Sequence, residues 1–325
     1  MSIHVNRREF LAAGAASTLA VGATAPADAP AQAPLEKRYQ GGVSPWPLCL
    51  DTATIRPSSL RDKIRIAAEA GYDAIEPWDR ELLEYEEEGG DLEDLAKDIQ
   101  DRGLQVPSVI GLWNAIPHSQ EEWEAGLDAT RNRMRVASTI GAKHVQVVPG
   151  PATEDFDLEW CAKRYHDLLE IGLNEFNINP AMVFVIFLPQ SRTMGKASAM
   201  AIDADHPKAK IIPDAYHMYI SGMGFHGLKH MQGDFIAIFQ INDAPAEPSR
   251  EELATPPFSG VDAHRVYPGD GILPLKQCIA DLQRIRYTGA ISLELYNPTY
   301  WEQDHLEVAK IGLDKTLQVI ADGLG

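Results

Sequence analysis

The chain reads as an α/β protein, a single (β/α)8 TIM barrel, on three observations. From about residue 43 onward, short apolar runs alternate with amphipathic helical stretches. Eight such pairs fit in about 280 residues, the length a barrel of this kind needs. No shift in composition divides them, so one domain accounts for the whole stretch. A doubly wound open sheet fits less well, because no Gly-rich phosphate loop follows the first strand.

The elements follow in order. The predicted strands are Leu48–Ala53, Ala74–Trp78, Gln105–Gly111, His144–Pro149, Met182–Leu188, Lys210–Asp214, Ile236–Asn242 and Ala290–Tyr296. Each is a short apolar run of the kind a buried parallel strand requires. Between them lie SLRDKIRIAAEAGY, DLEDLAKDIQDRGL, EEWEAGLDATRNRMRVASTIGA and CAKRYHDLLEIGLNEF, whose apolar residues recur at helical spacing. Gly71, Gly103, Gly141 and Gly289 lead from a helix into the next strand, where a left-handed glycine closes a helix before a short connection.

Composition narrows the function. The 325 residues carry a net charge of −18 and 45% hydrophobic side chains, enough for a large core. Such an acidic surface repels phosphates, so no nucleic acid is expected as a partner. Three scattered cysteines, Cys49, Cys161 and Cys278, imply neither a disulfide framework nor a Cys-based zinc site and are read as buried small side chains.

At the start, Arg7 and Arg8 precede Glu9-Phe10-Leu11 and a weakly apolar Ala/Gly-rich run. Residues 1–30 therefore read as a twin-arginine signal, 31–42 as a linker and 43–325 as the barrel. Export to the periplasm or beyond is expected, with no membrane segment after cleavage. Arg7 and Arg8 offset Glu9 and Asp28, so the exported chain would remain at −18.

Barrel chemistry sits on the loops at the C-terminal ends of the strands, so polar residues there are the candidates. Unit two ends in Glu76 and Trp78; unit three gives Trp113 and Asn114, with His118 beyond. Unit six supplies Asp214 and His217, unit seven Gln240 and Asp243, and the loop after it His264, Arg265 and Asp270. Glu294 stands among Ile291, Leu293 and Leu295 on strand eight, where a buried carboxylate needs a metal, an Arg or a Lys as partner. Trp113 and Asn114 suit a sugar, the ring covering C–H bonds while the amide reads hydroxyls. His226 and His230, four apart on a predicted helix, read as a solvated helix face, and the run Glu86-Glu87-Glu88 as a solvated loop.

The segments IEPW, PDAYH, QINDAP, PGDG and SLELYN, each on its expected unit, resemble the xylose isomerase-like TIM barrels, the sugar phosphate isomerase/epimerase group. The resemblance spans about Val43 to Ile320. It implies a divalent metal (Mn, Mg, Co or Zn) held by Asp214, Gln240 and Glu294, with Glu294 and His217 catalytic. Glu76, Trp113, Asn114, His217 and Arg265 would bind a small-molecule carbohydrate, and a homo-oligomer is left open. The resemblance departs at strand five, where the family's glutamate falls on Ile186, and at strand seven, where Gln240 stands for a histidine. The expected activity is that of an exported sugar isomerase, epimerase or related lyase acting on a keto sugar or polyol through a metal-held enediolate. The alternative is an impaired barrel that binds carbohydrate without turnover. An apurinic-site endonuclease of the same superfamily lacks its histidines and positive groove here.

Overall fold

The computed structural model describes residues 34–247 and 261–325. The segment read as a signal lies outside the described residues, as does most of the loop between Glu247 and Val261.

Eight parallel strands appear in the expected places, each shorter than its apolar run. They are β1 Leu48–Asp51, β2 Ala74–Glu76, β3 Ser108–Val109, β4 His144–Val147, β5 Asn179–Val183, β6 Ile211–Ile212, β7 Phe239–Ile241 and β8 Ile291–Leu293. They form two four-stranded sheets, β2-β1-β8-β7 and β3-β4-β5-β6. Isolated parallel bridges close the barrel: Ala74 to Gln105 and Trp78 to Ile110 on one seam, Ile211 to Ile236 and Asp214 to Gln240 on the other.

Strand alternation sorts the core into two shells. Leu48, Leu50, Ile75, Val145, Val147, Met182, Phe184, Ile211, Phe239, Ile291 and Leu293 face the surrounding helices. Cys49, Ala74, Val148, Ala181, Val183, Val185, Ile212 and Ile238 belong to a second cluster at the barrel axis. The cysteines are buried and unpaired, as expected. Trp46, fully buried, donates its indole N–H to the Tyr287 carbonyl at 2.8 Å and so ties the approach to β1 to the approach to β8.

The helices form where the periodicity places them, for example Leu60–Ala70, Leu92–Asp101, Gln120–Thr139 and Leu158–Phe176. Gly71 caps the first in the left-handed region at φ 95°, and Gly103 and Gly141 turn there at 78° and 80°. Gly289 does not. Its reason is close approach: a Cβ there would meet the Ala237 carbonyl oxygen at 2.5 Å, and Arg286 takes the positive φ instead. Glu86 and Glu87 belong to the end of the helix Asp79–Glu87 rather than to a loop. His226 precedes a three-residue turn, Leu228–His230, so the two histidines share no helix face. Among the described residues no helix is long and apolar enough to cross a membrane.

Candidate functional site

The rim of the barrel is built by register. Leu50 pairs with Leu293, which brings the next residues, Asp51 and Glu294, side by side. Asp51 also pairs with Glu76, and Asp214 bridges to Gln240. Val183 pairs with Ile212, so two residues further along Val185 stands beside Asp214.

Arg265 occupies the centre. It arrives on the loop after β7, where Asp243 and Val266 exchange backbone hydrogen bonds of 3.0 and 2.9 Å. Asn297 Nδ2 donates to the Arg265 carbonyl at 3.0 Å. The guanidinium, 1% exposed, has its carbon 5.1 Å from the ring centres of both Tyr216 and Tyr296. Its Nη1 donates to Asp214 Oδ2 and to Glu294 Oε2, both at 2.8 Å, and Nη2 lies 3.3 Å from His217 Nε2.

The two acids differ in their remaining partners. Asp214 caps the short helix Ala215–Ile220, accepting the His217 N–H at 2.7 Å, and accepts Asn242 Nδ2 at 2.9 Å. Glu294 accepts the Tyr296 hydroxyl at 3.1 Å. Burial drives both carboxyls up, but the Arg265 charge, with His217 and the cap bond, outweighs it at Asp214 and holds that group below the usual range. At Glu294 burial prevails over Arg265, and the neighbouring Asp214 charge adds to it, so its carboxyl lies well above the ordinary value. Asp51, pushed up by burial and then by Glu294 and Glu76, has the Ala53 N–H as its one side-chain partner among the described residues.

A cavity of about 30 Å³ opens beside this group, lined by His217, Arg265, Glu294, Gln146, Gln240 and a wall of rings and valines. Phe187, Trp113 and Trp78 stack in a row, with ring centres 6.2 and 6.0 Å apart, and Tyr296 meets Trp78 edge-on. The rings cover the mouth.

Of the residues expected at the site, Asp214, His217, Gln240, Arg265, Glu294 and Trp113 come together. Three others do not. Glu76 is fully buried beneath the mouth, where Gln146, Ser292 and Gln240 donate to its carboxyl at 2.7, 2.8 and 3.4 Å. It therefore presents no atom to the cavity, and burial raises its pKa while those bonds oppose the rise. Asn114 is an exposed turn residue at φ 55°, a left-handed conformation that asparagine tolerates, and lies outside the cavity lining. Ile186 packs outward against the helix-side core. Just ahead of it, the residues that line the cavity are Val183, the last of β5, and Val185, two positions past it and one before Ile186. Asp243 serves the loop: its carboxylate accepts the N–H groups of Ala244, Gly269, Gly271 and Leu273.

Sequence reasoning missed Gln146, Asn242, Asp51 and Ser292. Gln146 and Ser292 are polar residues with apolar neighbours on a strand, the same signal that marked Glu294, whereas Asp51 and Asn242 stand at strand ends beside Thr52 and Asp243.

A metal fits this arrangement poorly. The acids meant for it already share one arginine nitrogen, Gln240 offers only a neutral amide oxygen, and the end of strand five lines the cavity with valines alone. Among the described residues no three His, Cys, Asp or Glu side chains converge as a ligand set.

An eight-stranded parallel barrel with its buried polar group at the C-terminal rim defines the class. Within it, the chain belongs to the xylose isomerase-like TIM barrel family, whose model matches residues 64–314. Inosose isomerase of Bacillus velezensis is 24% identical over 280 residues, 84% of this chain and 97% of that protein. The 3-dehydroshikimate dehydratase of Pseudomonas putida is 20% identical over 74% of this chain but only 36% of its own length. Among solved structures, the IOLI protein with a bound zinc atom superposes with a TM-score of 0.74 at 22% identity, covering 85% of this chain and 98% of that one. A D-psicose 3-epimerase solved in the presence of D-fructose gives 0.67 at 16% identity, over 85% of this chain and 99% of that one.

Proposed function

We propose that the chain is an isomerase-type enzyme that binds a keto sugar or keto-polyol such as an inosose in the barrel mouth, widened by outward movement of the Trp113 and Phe187 rings, and moves a proton beside its carbonyl. The observation that carries this is Glu294, an acid in the cavity wall with its two oxygens fixed by Arg265 and Tyr296. The relatives named inosose isomerase and the epimerase fold support the substrate class.

Loss of the proton next to a carbonyl leaves negative charge on the oxygen. Arg265, buried at the same wall, is a donor for that charge where water does not screen it, and His217, whose Nε2 accepts from the guanidinium, orients it. Glu294 is the proton carrier. It is the one acid lining the cavity among the described residues, which supports a one-base proton shift or elimination rather than a two-base epimerisation. Trp113 covers the apolar face of the ligand. This reading includes export by the twin-arginine route, supported by Arg7 and Arg8, and hence an unphosphorylated substrate. Cell fractionation of an Arg7→Lys/Arg8→Lys variant checks that part, with retention in the cytoplasm as the expected result.

The valine at the strand-five position favours a second reading, a barrel that binds carbohydrate without turnover. Incubation with keto sugars and inososes in D2O separates the two. Deuterium entering at the carbon beside the carbonyl, reduced about 100-fold or more in Glu294→Gln, is expected for an enzyme. Calorimetric binding without exchange would leave only the binding reading. Neither binding nor exchange across the panel would refute both.

A further inference from the structure

We infer that Arg265 is the resident cation of this mouth, standing where the family resemblance puts a divalent metal, so that the site works without one. The inference rests on the proposed role of the mouth as a ligand site, but its test uses no substrate.

Four observations carry it. The strand-six and strand-eight acids, Asp214 and Glu294, each bond the same nitrogen, Nη1 of Arg265, at 2.8 Å. One positive centre thus bridges both carboxyls, which is the geometric task of a metal held between them. The other two ligand positions are weakened: Val185 carries no donor, and Gln240, whose side-chain N–H goes to Glu76, leaves only a neutral amide oxygen. The arginine is built in rather than collapsed into a gap. Its backbone is held by the Asp243–Val266 exchange and by Asn297, and Tyr216 and Tyr296 lie against its guanidinium. A guanidinium also keeps its charge at any working pH, so a second cation at the same acids would meet undiminished like-charge repulsion.

The consequences for the chemistry are specific. An arginine offers fixed, planar N–H donors in place of an exchangeable ion, so charge stabilisation at the mouth is directional and does not depend on metal supply. It cannot lower the pKa of a bound water as a metal does, so no water-derived nucleophile is drawn from this position.

The experiment measures Mn2+ and Zn2+ binding to purified protein by calorimetry and elemental analysis, without substrate. The wild type should hold well under 0.1 equivalent after dialysis without chelator, and its melting temperature should not change with EDTA or with millimolar Mn2+. Val185→Glu/Gln240→His, which restores the missing donors but keeps the arginine, should still bind weakly. Adding Arg265→Met to that pair should tighten Mn2+ binding at least 100-fold, to about one equivalent.

Near-stoichiometric metal in the wild type, lost in Asp214→Asn, would overturn the inference. So would equal affinity of the double and triple variants, or no binding by a folded triple variant. Where the triple variant does not fold, the wild-type metal content and the EDTA melting comparison decide alone. Failure of the sugar-exchange assay would leave these outcomes untouched, so the two readings fail separately.

Discussion

Replacing Asp243 by Ala should loosen the loop that delivers Arg265. Its carboxylate accepts four backbone N–H groups, from Ala244 at 2.8 Å, Leu273 at 2.9 Å, Gly269 at 3.0 Å and Gly271 at 3.1 Å. A hydrogen bond to a charged group contributes about 1.5–3 kcal/mol when the donor cannot reach water. Ala244 and Leu273 are buried, whereas Gly269 is exposed and Gly271 partly so, and water can replace the acceptor for that second pair. The loss is therefore about 3–5 kcal/mol rather than the sum of four full bonds. At roughly 2 cal/mol/K of unfolding entropy per residue, a barrel of this length shifts by about 1.8 °C per kcal/mol, or about 5–9 °C in total. Urea titration followed by circular dichroism gives the free energy, and differential scanning calorimetry gives the shift. Asp243→Asn sharpens the test. It keeps one acceptor for Ala244 and Leu273 but turns an NH2 toward the Gly269 and Gly271 donors, so it should lose a large part of the same stability. An Asp243→Ala variant within about 0.5 kcal/mol of wild type would refute the account of this loop.

Gly271→Ala should destabilise by about 2 kcal/mol or more in the same urea assay, because its Cβ would lie 2.2 Å from the Ala244 carbonyl oxygen and 2.4 Å from Asp243 Oδ1. Trp113→Ala should weaken carbohydrate binding about tenfold in calorimetry while leaving folding nearly intact, since the ring is only partly buried and stacks on Phe187 at the mouth. His144 makes the fold acid-sensitive. Burial lowers its pKa from 6.5 to about 4, against the opposing effect of its hydrogen bond to the Pro107 carbonyl. The unfolded chain thus binds a proton that the native state refuses between those values. Stability is present above about pH 6.5 and falls by about 2–3 kcal/mol as pH drops toward 4. A His144→Gln variant should flatten that part of the stability–pH curve; an unchanged slope would assign it to other groups.

The barrel was legible because each unit pairs an apolar run with a helical pattern, and the order of the runs sets the order of the strands. Polar residues at strand ends led to Asp214, His217, Gln240, Arg265 and Glu294 for the same reason. What failed was facing. On strand five the resemblance puts the family's glutamate at Ile186, just before Phe187-Leu188-Pro189, but that side chain packs against the helix-side core and Val185 lines the cavity instead. Glu76 lies on the right strand but one layer too deep, and the backbone angle of Asn114 turns it away. The choice of Arg265 over a metal is a contact between residues 29 and 51 positions apart, and no local pattern encodes it.

The seam between β6 and β7 is held by only two isolated backbone bridges, and one of them joins Asp214 to Gln240. The polar group at the rim therefore lies on one of the two lightly stitched lines of the barrel wall. A molecule touching both sides of that line acts as a staple, and its binding energy is partly spent on restraining the wall. The Gln240 amide, which donates to the Pro213 carbonyl at 2.9 Å, is the natural reporter. Its exchange with solvent deuterium should slow when the mouth is filled, and by more than that of amides within β4 and β5, where a continuous ladder already holds the strands.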